Sequence, residues 1–215
     1  MNSLLKFLAF FIATNCFSQT YHFDTYYEFQ NTYGIDFYFI NSKDNSYSIT
    51  GRIATNNANN EKKCYLNNLN KSEIIVLLYE ISKDESSDSI PKIIANSLVE
   101  KRESKAHLTN DDSYTYEYNE TFLENEQTAK TVTRKLNSKP NKKVVVECTF
   151  DKSMEEYYFF THNYSVDAPS YNIDKLEYFQ NRLPKKIKIT FENKHVYTNE
   201  LIKIRKINFD IDLKY

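Results

Sequence analysis

Residues able to do chemistry are few in this chain, and their spacing suits little of it. The four histidines, His22, His107, His162 and His195, stand apart, with no HExxH run and no Cys-His pattern that would bring two ligands to one metal. His22 and Asp24 are two residues apart and would face the same way on a strand, but the further ligands of a metal site are missing. A surface or hydrogen-bonded histidine is the ordinary reading. A nucleophile elbow, a phosphate loop and a dinucleotide fingerprint all need glycine for close backbone approach, and the chain has two glycines. Acidic residues cluster at Asn110-Asp111-Asp112, at Glu155-Glu156 and at Glu117 with Glu120. Turn chemistry accounts for the first cluster. A carboxylate pair for glycoside hydrolysis would need a fixed separation and divergent pKa values that spacing does not supply. The expectation is a protein that is not an enzyme, with no metal and no cofactor.

Cys64 and Cys148 are the two cysteines beyond the leader, both in strand-like contexts. In an exported chain they read as a disulfide, or as two buried free thiols. A bond would close a long loop and stabilise the fold by roughly 4 kcal/mol in the chain-entropy account. Zinc is disfavoured because neither cysteine has a close-spaced Cys or His.

Lys6 followed by the short apolar run Phe7 to Ala13 reads as a secretory signal peptide over 1–18, too short for a membrane span. Cys16 and Ser18 are small residues suited to a cut before Gln19, which leaves 19–215 as a single β-rich domain. Cys16 as a lipid-attachment site is the lesser alternative, since Asn15 fits poorly before it. The expected location is therefore periplasmic or extracellular. With 28 Lys+Arg against 29 Asp+Glu, the balance argues against nucleic acid as a partner. The charges are uneven, however. Residues 80–126 carry twelve acidic and five basic side chains, and 182–206 carry eight basic and two acidic. A solvated basic strand face and an acidic insertion explain this; a basic docking surface is the sharper alternative.

The elements that must position these residues are mostly strands. Ile187, Ile189 and Phe191 alternate with Lys186, Lys188 and Thr190, the period of two of a half-buried strand. Leu201 to Leu213 is a second, in which Ile202 and Ile204 are even while Ile207, Phe209, Ile211 and Leu213 are odd. This places a bulge or corner at Arg205-Lys206. Residues 35–53 read as a hairpin, Ile74 to Tyr79 as a strand buried on both sides, and Tyr114 to Tyr118, Thr128 to Leu136, Val144 to Phe150 and Tyr157 to Thr161 as a meander. Ser89 with Pro91 predicts a helix lined by Ile90, Ile93, Ile94 and Leu98, with a strand from Ile93 to Val99 as the alternative. A second helix is expected over Ile173 to Arg182, ended by Pro184. With Gly scarce and Asn occurring 24 times, Asn is expected to do the turn work. The fold class is mainly β (β-rich α+β), a curved antiparallel sheet or incomplete barrel with one or two short helices.

A β-meander with a helix ahead of Leu183-Pro184-Lys185-Lys186-Ile187-Lys188-Ile189, then a loop and a final curved strand pair, resembles the LolA/LolB-like lipoprotein-carrier fold. It is also similar to small secreted flavobacterial proteins of the GLPGLI type. The carrier resemblance implies an incomplete barrel around an apolar cavity that holds acyl chains. Inward positions offered for such a cavity are Phe37, Phe39, Ile187, Ile189, Ile204 and Phe209. The 18 Tyr and 15 Phe, with no Trp, suit either a filled core or such a cavity. The expected partners are a lipid or lipoprotein, or another envelope protein; the alternative to ligand binding is an interaction protein with a filled core.

Overall fold

The strand Gly34–Asn41 is buried at nearly every position, including both Phe37 and Phe39 on one face and Tyr38 and Ile40 on the other. A strand covered on both faces sits in the middle of something, and this one marks the centre of the fold. The computed structural model describes residues 18–54, 62–81, 89–95, 97–103, 114–158, 177–179 and 182–214. The expected signal peptide at 1–18 lies outside these residues except for Ser18.

The strands are β1 Ser18–Asn31, β2 Gly34–Asn41, β3 Asp44–Ala54, β4 Lys63–Asn68, β5 Glu73–Glu80, β6 Lys92–Ile94, β7 Glu100–Glu103, β8 Tyr114–Phe122, β9 Gln127–Leu136, β10 Lys139–Asp151, β11 Lys186–Thr190 and β12 Val196–Lys214. They form one antiparallel sheet in the order β6-β5-β4-β3-β2-β1-β12-β11-β10-β9-β8, with β7 also on β5, and the sheet is not closed into a barrel. The class is as the sequence predicts. Helix among the described residues is reduced to two 3₁₀ turns, Lys152–Met154 and Glu177–Phe179.

The helix expected from Ser89 does not form. Lys92–Ile94 pairs instead with Leu78, Tyr79 and Glu80, and Ile93 is buried. The unpaired edge of β5 offers this segment hydrogen bonds and an apolar face at once, which outweighs a weak local helix preference. Of the second expected helix, 173–176 and 180–181 lie outside the described residues, and Glu177–Phe179 is a single turn. Of the Tyr157 to Thr161 strand, Tyr158 makes one bridge to Arg182 and 159–161 lie outside the described residues.

Asparagine does turn work, mainly through its side chain. The Oδ1 atoms of Asn31, Asn41, Asn68 and Asn193 accept the backbone N–H of Tyr33, Lys43, Lys71 and His195 at 2.8–3.1 Å. Among the described non-glycine residues, left-handed backbone falls on Ser72, Asn125, Glu126 and Lys194, only one of them Asn.

Two cores lie on opposite faces of the sheet. One, the N-terminal core, gathers Tyr21, Phe23, Tyr26, Phe37, Phe39 and Ile49 with side chains from β4, β5, β6 and the end of β12. The other, the C-terminal core, gathers Tyr27, Phe29, Tyr38 and Ile40 with side chains from β9, β10, β11 and the start of β12. Because Phe37 and Tyr38 point to opposite faces, the sheet must curl one way around the first core and the other way around the second. Contacts across the first curl fit this shape: Asn68 Nδ2 donates to Tyr21 Oη at 2.9 Å, and Lys203 Nζ reaches Ser89 O at 3.5 Å.

This double curl explains the phase change in the last strand. Ile204 packs on the C-terminal core, whereas Ile207 and Phe209 pack on the N-terminal one. From Ile204 onward even and odd positions face different cores, whereas the odd-numbered Tyr197 and Leu201 pack with Ile204 on the C-terminal core. The bulge expected at Arg205-Lys206 to return all of them to one face is therefore not what joins them. A register shift does lie beside that point, between Phe23/Thr25 on β1 and Phe209/Lys206 on β12, and a second between Glu28/Phe29 and Lys203/Leu201. Ile202, left over at the second, is half exposed.

Candidate functional site

The β8–β9 connection is tight because Asn125 and Glu126 both adopt φ of +57°, the pair of left-handed residues that suits the twist of a hairpin. Leu123 N–H donates to Gln127 O at 2.9 Å and closes it. On one side of this turn β10 ends at Asp151, whose Oδ1 accepts the Ser153 amide at 3.0 Å and its hydroxyl at 2.7 Å to start the 3₁₀ turn. Between them lies an open recess of about 250 Å³, lined by Phe122, Leu123, Phe150, Lys152, Glu155 and Arg182 among others.

Its floor is apolar and its rim is charged in opposite pairs. The Arg182 guanidinium lies over the Phe150 ring at 5.5 Å, and its Nη2 is 3.5 Å from Glu155 Oε1. Lys152 Nζ is 3.7 Å from Glu126 Oε2, and Lys185 Nζ is 3.4 Å from Asp151 Oδ2. The Ser153 hydroxyl and amide, with Lys185, hold the Asp151 carboxyl below its ordinary value, so it stays ionised at neutral pH and has no proton to give. Phe122 is 83% exposed on this rim, beside half-exposed Leu123. The arrangement suits contact with an apolar or amphipathic group more than a reaction.

The positions offered for an apolar cavity do not converge. Phe37, Phe39 and Phe209 belong to the N-terminal core, and Ile187, Ile189 and Ile204 to the C-terminal core on the other face. Alternation alone does not say which of two curls a strand faces. The possible disulfide is not formed. Cys64 and Cys148 are both free and buried, one in each core, with five strands between β4 and β10 in the sheet. At about 4.8 Å per strand step, that separation is far beyond the Cα spacing of roughly 4.4–6.8 Å that a disulfide requires. Burial pushes the Cys64 thiol up to about 12 and the Cys148 thiol well above its usual value, so neither is poised for exchange.

His22 and Asp24 do not act together, because the register shift at Asp24 parts them. His22 Nδ1 is 2.6 Å from Asp210 Oδ1, and Asp24 instead accepts the Ser42 hydroxyl at 2.5 Å and its amide at 3.0 Å. His195 is exposed and stacks on Phe191; His107, His162 and the acidic run 110–112 lie outside the described residues. Glu117 pairs with Lys135, and Glu155 with Arg182.

Two buried polar clusters were missed in the sequence. Asp36 accepts from Arg52 Nε at 2.5 Å, Asn31 Nδ2 at 2.8 Å and Tyr197 Oη at 3.1 Å, tying β2 to β3 and β12. Glu28 accepts from Tyr26 Oη at 2.6 Å and Lys203 Nζ at 3.3 Å. Burial, with the Glu28 carboxylate alongside, raises the Tyr26 phenol and keeps it protonated. Both clusters join strands at the centre of the sheet. The only sequence signal was a charged residue inside an apolar strand. For the recess, the signal was Phe122-Leu123 just before the turn run Glu124-Asn125-Glu126. Comparison of the chain with protein-family models, with curated proteins and with solved structures finds no match to any of them, so the site is read from its own residues.

Proposed function

We propose that this protein is an exported, non-enzymatic envelope protein that works by surface contact with another envelope protein, its cores filled by its own side chains. The observation that carries this reading is the packing of the rings once offered as cavity lining. Phe39 touches Phe23, Tyr26, Phe37 and Phe209 at centroid distances of 5.0–6.2 Å, and Phe37 lies 5.0 Å from Tyr79. Rings at these spacings leave no room for an acyl chain between them. Gln19, the first residue after the expected cut, already pairs with Leu213, so processing there would remove only the Ser18↔Lys214 pair from the sheet. Native mass spectrometry of the gently purified protein tests the reading, with the expected mass being that of the chain from Gln19 alone. A stoichiometric bound lipid would overturn the filled-core reading, and an uncut leader would overturn export.

A second reading has one observation in its favour. The recess beneath Phe122, floored by Phe150, has the apolar character needed to take the end of a lipid or lipoprotein acyl chain. On this reading Phe122→Ser abolishes lipid copurification while substitutions in either core do not.

A further inference from the structure

The basic run over 182–206 is mostly engaged inside the fold. Arg182, Lys185, Lys186 and Lys203 pair with Glu155, Asp151, Glu200 and Glu28. Lys188 stands opposite Glu147, and Lys206 lies over the Tyr157 ring. Lys194 is left at a turn, and there the fold brings it three lysines from elsewhere in the chain.

Antiparallel order sets the β9–β10, β11–β12 and β1–β2 turns side by side at one end of the sheet. Two contacts tie them together. Lys142 Nζ lies 3.8 Å from Glu192 Oε2, and the Tyr33 ring stacks on Tyr197 at 6.2 Å. Every residue of these turns is described, and residues 32–33, 137–143 and 192–196 are all exposed. They carry Lys139, Lys142, Lys143 and Lys194 against one carboxylate, Glu192. Tyr33, 54% exposed, and Val196, 46% exposed, add apolar surface beside the lysines.

The backbone holds these lysines out. On β10 the register passes from Lys139↔Leu136 to Lys143↔Lys135, so Pro140, Asn141 and Lys142 oppose no residue of β9 and bulge from the turn. Lys194 has φ of +66°, a conformation that Asn or Gly adopts at less cost. The neighbouring Asn193 instead uses its side chain, which accepts the His195 amide at 3.0 Å. A lysine kept at a strained position points to a use for its charge.

We propose that this end of the sheet docks on an anionic phospholipid surface, with the lysines at the headgroup phosphates and Tyr33 and Val196 at the boundary beneath them. All four cations are Lys and none is Arg. A compact ammonium on a flexible stem meets any phosphate oxygen, whereas the Arg fork suits a fixed partner. The lysines stand on turn tips, which suits a continuous charged surface more than one small anion. A cluster of about four is the size at which basic segments hold to anionic lipid, and an exposed tyrosine beside them is suited to a membrane–water boundary. The inference goes beyond contact with another envelope protein, and it is independent of whether either core or the recess holds a lipid.

Cosedimentation with vesicles tests it. The protein is expected to bind vesicles of phosphatidylglycerol with phosphatidylethanolamine, to leave vesicles of phosphatidylcholine alone unbound, and to be released as salt is raised. Each lysine removed should weaken binding about fivefold, so Lys142→Ala with Lys143→Ala should lose about 20-fold. Both residues are exposed, so the melting curve should not move. Lys43→Ala, exposed on the β2–β3 turn at the other end of the strands, should bind like the parent. Equal binding to phosphatidylcholine, no binding to the anionic vesicles, or a double variant no weaker than Lys43→Ala would each overturn the proposal. Retention on immobilised polyglutamate that the double variant loses, with no vesicle binding by the parent, would assign the patch to an acidic protein and overturn it too.

Discussion

The two lobes bury nearly the same material. Among the described residues each core holds fourteen buried apolar side chains, six of them aromatic and one a cysteine. The rings are arranged differently. In the N-terminal core Phe23, Tyr26, Phe37, Phe39 and Tyr79 touch one another as a single aromatic cluster. In the C-terminal core the contacts fall in smaller groups, such as Phe29 with Tyr38 and Phe150 with Phe179, among Val132, Val144, Val146, Ile187 and Ile189. The comparison teaches that burying apolar area does not fix shape. Interlocked rings hold the half of the sheet that ends in the short strands β6 and β7, and mixed aliphatic packing holds the half that ends in the nine-residue β8.

The largest expected effect separates the lobes by truncating one ring in each. Phe39→Ala and Phe150→Ala should each cost about 3–5 kcal/mol. Because β1, β2 and β12 serve both cores, each variant should still unfold in one transition, followed by circular dichroism in urea. Two transitions in either variant would mean that the lobes are independent units. Next is the Asp36 clamp, which reaches Arg52 on the N-terminal side and Tyr197 on the C-terminal side. Asp36→Ala should cost about 2–3 kcal/mol, less than a fully buried pair because Arg52 is 40% exposed. A loss within a few tenths of zero would remove it as a link between lobes.

Gly51→Ala probes the N-terminal curl alone. A Cβ there would lie 2.2 Å from Cζ of Phe37, whose ring occupies the space over the glycine, so the variant should lose about 1–3 kcal/mol through overpacking. An unchanged melting temperature would show that this cluster yields more easily than described. The smallest effect is at Asp24, where β1 passes from one core to the other. Burial works against its charge, but hydrogen bonds from Ser42 and Thr25, with Lys206 nearby, outweigh that and hold the carboxyl below its ordinary value of 3.8. A carboxyl depressed on folding contributes stability that is fully present above 3.8 and is lost as pH falls through the lower folded value. Acid titration of stability should therefore be shallower in Asp24→Asn than in the parent, and an identical slope would sink the assignment.

Much of the sheet was legible in the sequence, and the two curls were not. Apolar runs and alternation located β2, β3, β5, β9, β10, β11 and β12 because each has at least one face committed to burial, and the alternation of Tyr114, Tyr116 and Tyr118 located β8. It failed where Ile204 and Ile207 answer to different cores, since period two records opposite faces without saying that both are covered. β7, whose residues are all charged, gave no apolar signal. Ser89 and Pro91 gave a local helix signal that the edge of β5 overrode. The recess is assembled from the β8–β9 turn, the end of β10 and Arg182, which are distant in sequence and meet only after the second curl forms.

The pairing of β1 with β12 has a kinetic meaning. These strands share the longest ladder in the sheet, at its centre, from Ser18↔Lys214 to Gln30↔Glu200. Neither core can close until the last strand is delivered to the first, a loop closure across nearly the whole chain. Topologies dominated by such distant contacts fold slowly, because chain entropy is lost before the contacts return it. A chain still emerging from a ribosome or a translocation channel would hold the early strands with their partner missing. It would thus stay threadable until its final residues arrive.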